Sequence, residues 1–344
     1  MAREHLVYVV LATVLMAGQP FAVEFTQNED GEYDYLILSV SAMSELVKLV
    51  ASVNAYFVLI PFEEHSHRLL SRRDILRFCI PAVAFAVNNA LMFLIVSEIR
   101  PSLFQLVSTT KTIFTALLFR IIIKRLLTPT HYAAIVLLAI GTAVSRLPTC
   151  DLDWALREGG SHGSGYDGYN GAFEDEVTDV SHESLGVLLT LFTCILSSLG
   201  GVLNELLLKR DGQVHSLFLQ NALLYAWGVL LNSVALWSLH YKRILNEKDG
   251  IFVGYNRRVA LLIAVNAVMG LSISVILKHL NNLVRVICHT CAMMVSMLLD
   301  ALILQEPPQR PFLFAIGIVA CSSIIYSLQP TPKPMHQQPT LVRN

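Results

Sequence analysis

Charge is scarce in this sequence: Asp, Glu, Lys and Arg make up 15% of its 344 residues, against 54% that are hydrophobic. Soluble domains carry nearer a quarter charged residues, so an ordinary water-soluble fold is excluded. The charge that is present has no bias of sign, with 25 basic and 26 acidic residues, and so offers no overall basic field for nucleic acid. Catalytic signatures are missing too. There is no H-E-x-x-H, no G-x-S-x-G, no G-x-x-x-x-G-K-[ST] and no N-x-[ST] glycosylation acceptor. Without a nucleophile–base pair or a metal constellation, neither an enzyme nor a bound cofactor is expected. Of the 6 cysteines, Cys288 and Cys291 stand at C-x-x-C spacing with only His289 beside them, which reads as helix packing rather than a zinc or redox site. Cys150 stands alone in its loop, so no disulfide is expected there.

What the sequence does have is long apolar runs, and its mean hydropathy is +0.56. A helix needs about 20 apolar residues to cross a bilayer core. Ten such stretches are predicted, at 5–23, 35–61, 75–97, 101–123, 130–147, 185–208, 216–239, 257–279, 284–304 and 311–329. The first runs too long for a secretory signal and has no clear cleavage site, so it counts as a membrane helix. The basic residues of the connections, among them Arg68, Arg72, Arg73, Lys124, Arg125, Lys209 and Arg210, favour one side, which places both termini in the cytosol. The segment from Lys242 to Arg258 dissents, putting five basic residues on the lumenal side. The chain divides into helices 1–5 (residues 1–147), a Gly-rich and acidic loop expected to be disordered in the lumen (148–184), helices 6–10 (185–329) and a cytosolic tail (330–344). An odd number of helices per half inverts the second half against the first. Faint similarity between TALLFRIIIKRLLTP and VSMLLDALILQEPP fits such a repeat. The expected fold is an all-α integral membrane protein of ten transmembrane helices in two inverted five-helix repeats, with a homodimer left open.

Ionisable groups inside the predicted spans are costly and so mark a cavity or a partner. Glu45 and Lys48 lie three apart on one helical face; they form either a local ion pair or part of a site. Lys111 has no acidic residue three or four positions away, so its partner is another helix, water or a ligand. Arg285 either snorkels to the surface or joins Lys111 at one cavity, where two cations suit a phosphate or pyrophosphate. Glu205 and Asp300 complete the set of acidic groups in the spans. Asn88, Asn89, Gln105, Asn204, Gln220, Asn221, Tyr225, Ser272 and Ser274 recur in the same helices. Amides read both donors and acceptors on a base and an aromatic ring stacks on its face, although interhelical hydrogen bonding would use the same residues.

The stretches YDYLILSVSAMSELVKLV, AVNNALMFLIVSEIRPSLFQLVSTTKTIFTALLFRIIIKRL, GGVLNELLLKRDGQVHSLFLQNALLYAWGVLLN and GLSISVILKHLNNLVRVI resemble the nucleotide-sugar transporter family, in the branch of CMP-sialic acid and UDP-galactose transporters. The resemblance covers nearly all ten helices. It implies a Golgi membrane antiporter that exchanges a cytosolic nucleotide sugar, a UDP-sugar in the first instance, for a lumenal nucleoside monophosphate. A CMP- or CDP-linked conjugate, or a membrane organiser that keeps the fold without transport, are the alternatives. It further implies that Glu45 and Lys48 match the family's acidic–basic pair, that Lys111 meets phosphate, and that Asn89 falls where the base is read. Asn88 stands where relatives carry glutamine, and Asn221, Tyr225 and Ser274 match cavity-lining positions. Arg285 stands where relatives carry lysine, Gln220 replaces an arginine, and Phe104-Gln105 and Ser108-Thr109-Thr110 replace more aromatic sequences.

Overall fold

The computed structural model describes residues 2–28, 33–60, 71–98, 104, 107–123, 128–144, 172–210, 215–246, 250–304 and 310–328. These form ten α-helices, with no strand among the described residues. They are α1 (Ala2–Glu24), α2 (Ile37–Leu59), α3 (Arg72–Glu98), α4 (Lys111–Ile123) and α5 (Pro129–Val144), then α6 (Ala172–Arg210), α7 (Leu217–Asn246), α8 (Arg257–His279), α9 (Asn282–Leu304) and α10 (Arg310–Leu328). Six of them, α1, α2, α3, α6, α7 and α8, are long and apolar enough to cross a membrane.

The packing is inside out relative to a soluble bundle. Phe57, Val58, Leu188 and Phe314 stand exposed on the outside, while Thr115, Thr190, Ser198, Glu205 and Gln220 are fully buried. Where the surroundings are hydrocarbon, helices gain by close packing and by polar contacts between them rather than by burying leucine. Small residues accordingly sit at the crossings. A Cβ added at Gly141 on α5 would lie 2.9 Å from Val319 on α10, and one at Gly200 on α6 would lie 3.0 Å from the Phe85 ring on α3.

The principal packed pairs are α2 with α7 and α8, α3 with α6 and α7, α4 with α6, α5 with α10, and α1 with α8 and α9. Replacing each helix by the one five places along returns the same set. The α3–α6 contact becomes α8–α1, α4–α6 becomes α9–α1 and α3–α7 becomes α8–α2, while α2–α7 and α5–α10 map onto themselves.

Besides α7, which runs on to Asn246 past its expected end at 239, two boundaries differ from the sequence expectation. The single helix predicted at 101–123 is broken: residues 107 and 108 are helical, 109 and 110 form a turn, and α4 starts afresh at Lys111. The run Ser108-Thr109-Thr110 accounts for this, because hydroxyls compete with the backbone for its own hydrogen bonds; Thr110 Oγ1 donates to the Val107 carbonyl at 2.7 Å. At the other boundary, α6 starts at Ala172, inside the segment expected to be a disordered loop. A helix already nucleated by its apolar part extends cheaply into a polar flank. The remainder of that loop and the tail lie outside the described residues.

One connection demands glycine. Gly254, between α7 and α8, has φ +72, and a Cβ there would fall 2.6 Å from the backbone of Asp34 just before α2. Asn256 then caps α8, accepting from Val259 N–H at 2.9 Å.

Candidate functional site

Two adjoining cavities lie among the helices, one of about 530 Å³ and one of about 310 Å³. Lys111 and Asn88 line the larger, Glu45, Lys48, Asn89, Tyr225 and Ser274 line the smaller, and Arg285 lines both. Together with Asn204, which lines the smaller, these residues singled out in the sequence are brought to one compound space. Gln105 falls outside the described residues.

The cations are delivered by helices five places apart in the chain. Lys111 is the first residue of α4, and Arg285 lies in the first turn of α9, the helix five places along. Both are half-buried, and both line the larger cavity. Among the described residues neither has an ion-pair partner. Glu205, the buried carboxylate of α6, is paired with Lys209 at 2.6 Å. Two unpaired cations at the starts of two helices, where the helix dipole adds to them, make a place for an anion.

The smaller cavity is differently built. Lys48 pairs with Glu45 and its Nζ sits 4.8 Å from the centre of the Tyr225 ring. The Tyr225 hydroxyl lies 2.9 Å from Ser274 Oγ, and both donate to the Gly270 carbonyl at 3.3 Å. Asn89 Nδ2 donates to Asn232 Oδ1 at 3.4 Å. The pair of Glu45 and Lys48 is therefore a local ion pair and a cavity wall at once, so the two readings offered by its spacing are compatible. Two glycines face it and leave room for its present placement. A Cβ at Gly228 on α7 would lie 2.8 Å from Glu45 Oε2, and one at Gly270 on α8 would lie 2.7 Å from Lys48 Cδ. Neither glycine stands out in the sequence, since helix glycines in membrane chains are common.

Two candidates go elsewhere. Glu205 lines neither cavity: wholly buried on α6, it accepts from the Asn282 N–H at 2.7 Å at the start of α9. Lys209, besides pairing with it, donates to the Leu280 carbonyl. Together they close the α8–α9 junction, satisfying groups a helix start leaves open. Asn221 is also buried away from both cavities. Cys288 packs against Ala12, Met16, Ile276 and Ala292, in keeping with a packing role. The residues that pattern-reading passed over are Gln19 on α1 and the hydroxyls of Thr112, Thr193, Ser197 and Thr290, all lining the larger cavity.

A helical membrane bundle with an anion-compatible internal cavity is the frame of a carrier rather than of an enzyme. The profile of the family described as Nucleotide-sugar transporter matches residues 3–327, and the chain belongs to that family. CMP-sialic acid transporter 1 of Oryza sativa subsp. japonica is 27% identical over 324 residues, covering 93% of this chain and 91% of that protein. The protein named "Probable UDP-sugar transporter protein SLC35A4" of Sus scrofa is 29% identical over 299 residues, 86% of each. A solved crystal structure shares the fold at a TM-score of 0.63 and 13% identity, over 95% of this chain and 97% of that one. The relatives are transporters, and this chain is a multi-pass membrane protein of their family.

Proposed function

We propose that the protein is a Golgi antiporter that carries a UDP-sugar from cytosol to lumen in exchange for UMP, with both termini cytosolic. Lys111 and Arg285 hold the phosphates. Asn89, Tyr225 and Ser274, beside the Glu45–Lys48 pair in the smaller cavity, hold the nucleoside, and Asn88 faces the conjugate from the larger cavity. The observation that carries this reading is the meeting in the larger cavity of two cations without ion-pair partners among the described residues, Lys111 from the start of α4 and Arg285 from the first turn of α9 at the junction with the smaller cavity. Exchange then follows from two inverted five-helix repeats, 1–147 and 185–329, rocking about that junction; the packing set that survives a five-helix shift supports it. A CMP-linked conjugate is a second reading, favoured by the name of the rice relative.

The test is uptake into proteoliposomes preloaded with UMP or CMP, over a panel of labelled UDP-sugars and CMP-sialic acid. Saturable uptake of UDP-sugars driven by UMP is the expected result. Uptake driven by CMP alone would move the assignment to the second reading, and no nucleotide-driven uptake by folded protein would overturn both.

A further inference from the structure

Four residues line both cavities and so form the neck between them: Gln19, Met269, Ile273 and Arg285. Two are apolar and one is the phosphate-assigned arginine. Gln19 is left as the uncharged polar group that anything spanning the two cavities has to pass. It stands on α1 immediately before Pro20, half-buried. Its Nε2 donates to Asn266 Oδ1 on α8 at 3.0 Å, and it has no other hydrogen bond among the described residues. Since a primary amide has two N–H groups and a carbonyl oxygen, that single bond fixes the side chain's orientation while leaving one donor and the acceptor to spare.

A nucleoside monophosphate and a nucleotide sugar differ in what crosses this neck. The monophosphate ends at the phosphate beside Arg285. The conjugate continues into the larger cavity, where the hydroxyls of Thr112, Thr193, Ser197 and Thr290 suit a sugar. We infer that Gln19 is a specificity-determining residue that binds the phosphate–sugar linkage, and that it thereby distinguishes the imported conjugate from the exported monophosphate. Its spare N–H donates to a phosphate oxygen and its carbonyl accepts from a sugar hydroxyl, while Asn266 holds the amide across the α1–α8 contact. This rests on the antiporter reading above.

The experiment compares wild type with Gln19→Met, which keeps the length and removes the amide, in proteoliposomes where unlabelled UDP-sugar or UMP competes with labelled UMP. Loss of a hydrogen bond or two to a charged group weakens competition by the UDP-sugar about tenfold, with that by UMP changing less than about twofold. Equal weakening of both ligands, or of neither, overturns the inference while leaving the antiporter intact. Wild type that responds to neither ligand overturns the antiporter, and the inference falls with it. Should Gln19→Met not fold, Gln19→Cys is labelled with a water-soluble thiol reagent, with wild-type labelling subtracted. Protection by UDP-sugar well above that by UMP is expected, and equal protection refutes the role.

Discussion

A lysine inside a membrane bundle costs about 3 kcal/mol to insert, and Lys111 recovers none of this from an ion pair among the described residues. Its retention is understandable if a ligand supplies the missing charge. Replacing Lys111 by Gln should therefore lower nucleotide exchange by about tenfold to a hundredfold, the worth of a charge-assisted hydrogen bond, without lowering the melting temperature in detergent. A variant that exchanges normally would remove Lys111 from the site. Glu205 predicts the opposite split. Its carboxylate is wholly buried, paired with Lys209 and bonded to the Asn282 N–H, so Glu205→Ala leaves both without it, at a cost of about 3 kcal/mol. A lowered melting temperature in proportion is the expected result, with Glu205→Gln, which still accepts from Asn282, falling less. If Glu205 instead touched substrate, Glu205→Gln would cut exchange and leave melting unchanged.

At the scale of helices, the same substitution should have different effects on two faces. Alanine at Gly141 meets Val319 Cγ2 at 2.9 Å and Ile318 Cγ2 at 3.0 Å, branched side chains that have little rotamer freedom. The α5–α10 contact has to separate, at about 1 to 3 kcal/mol, so Gly141→Ala should lower the melting temperature and leave the KM for exchange alone. Alanine at Gly270 meets Lys48 Cδ, part of a flexible side chain that moves aside cheaply. What is lost is the placement of Lys48 beside Glu45 and over Tyr225. Gly270→Ala should thus raise KM while melting scarcely changes, and a melting loss with unchanged KM would refute a cavity role for this pair. The helices themselves are legible beforehand because each is written as a long apolar run, a signal that needs no partner. The break before Lys111 is not, because Ser108-Thr109-Thr110 is tolerable in a helix and such hydroxyls bond the backbone inside unbroken helices as well. Gln19, Gly228 and Gly270 escape for a similar reason: an amide or a glycine acquires meaning from what faces it on another helix.

For the whole molecule the same division holds between what one chain segment encodes and what arises from assembly. Which helices meet, and hence that α4 and α9 bring their first turns to one cavity, is a property of the packed bundle; the faint likeness of the two halves hints at it without specifying it. Orientation across the bilayer is encoded the other way, in the connections. There the basic residues between Lys242 and Arg258 argue against the rest, but Lys242 and Arg243 lie on α7, Arg257 and Arg258 open α8, and Gly254 packs against Asp34 just before α2, so this is not a simple charged loop. A sequence with no N-x-[ST] acceptor offers a silent background for deciding the matter. An Asn-Gly-Thr acceptor placed in the Gly-rich part of 148–171 should be glycosylated in cells, and one placed in 330–344 should not, as read by a glycosidase-sensitive mobility shift. Modification of the tail in place of the central segment would invert the proposed topology and, with it, the direction in which Lys111 and Arg285 are first presented to the cytosolic substrate.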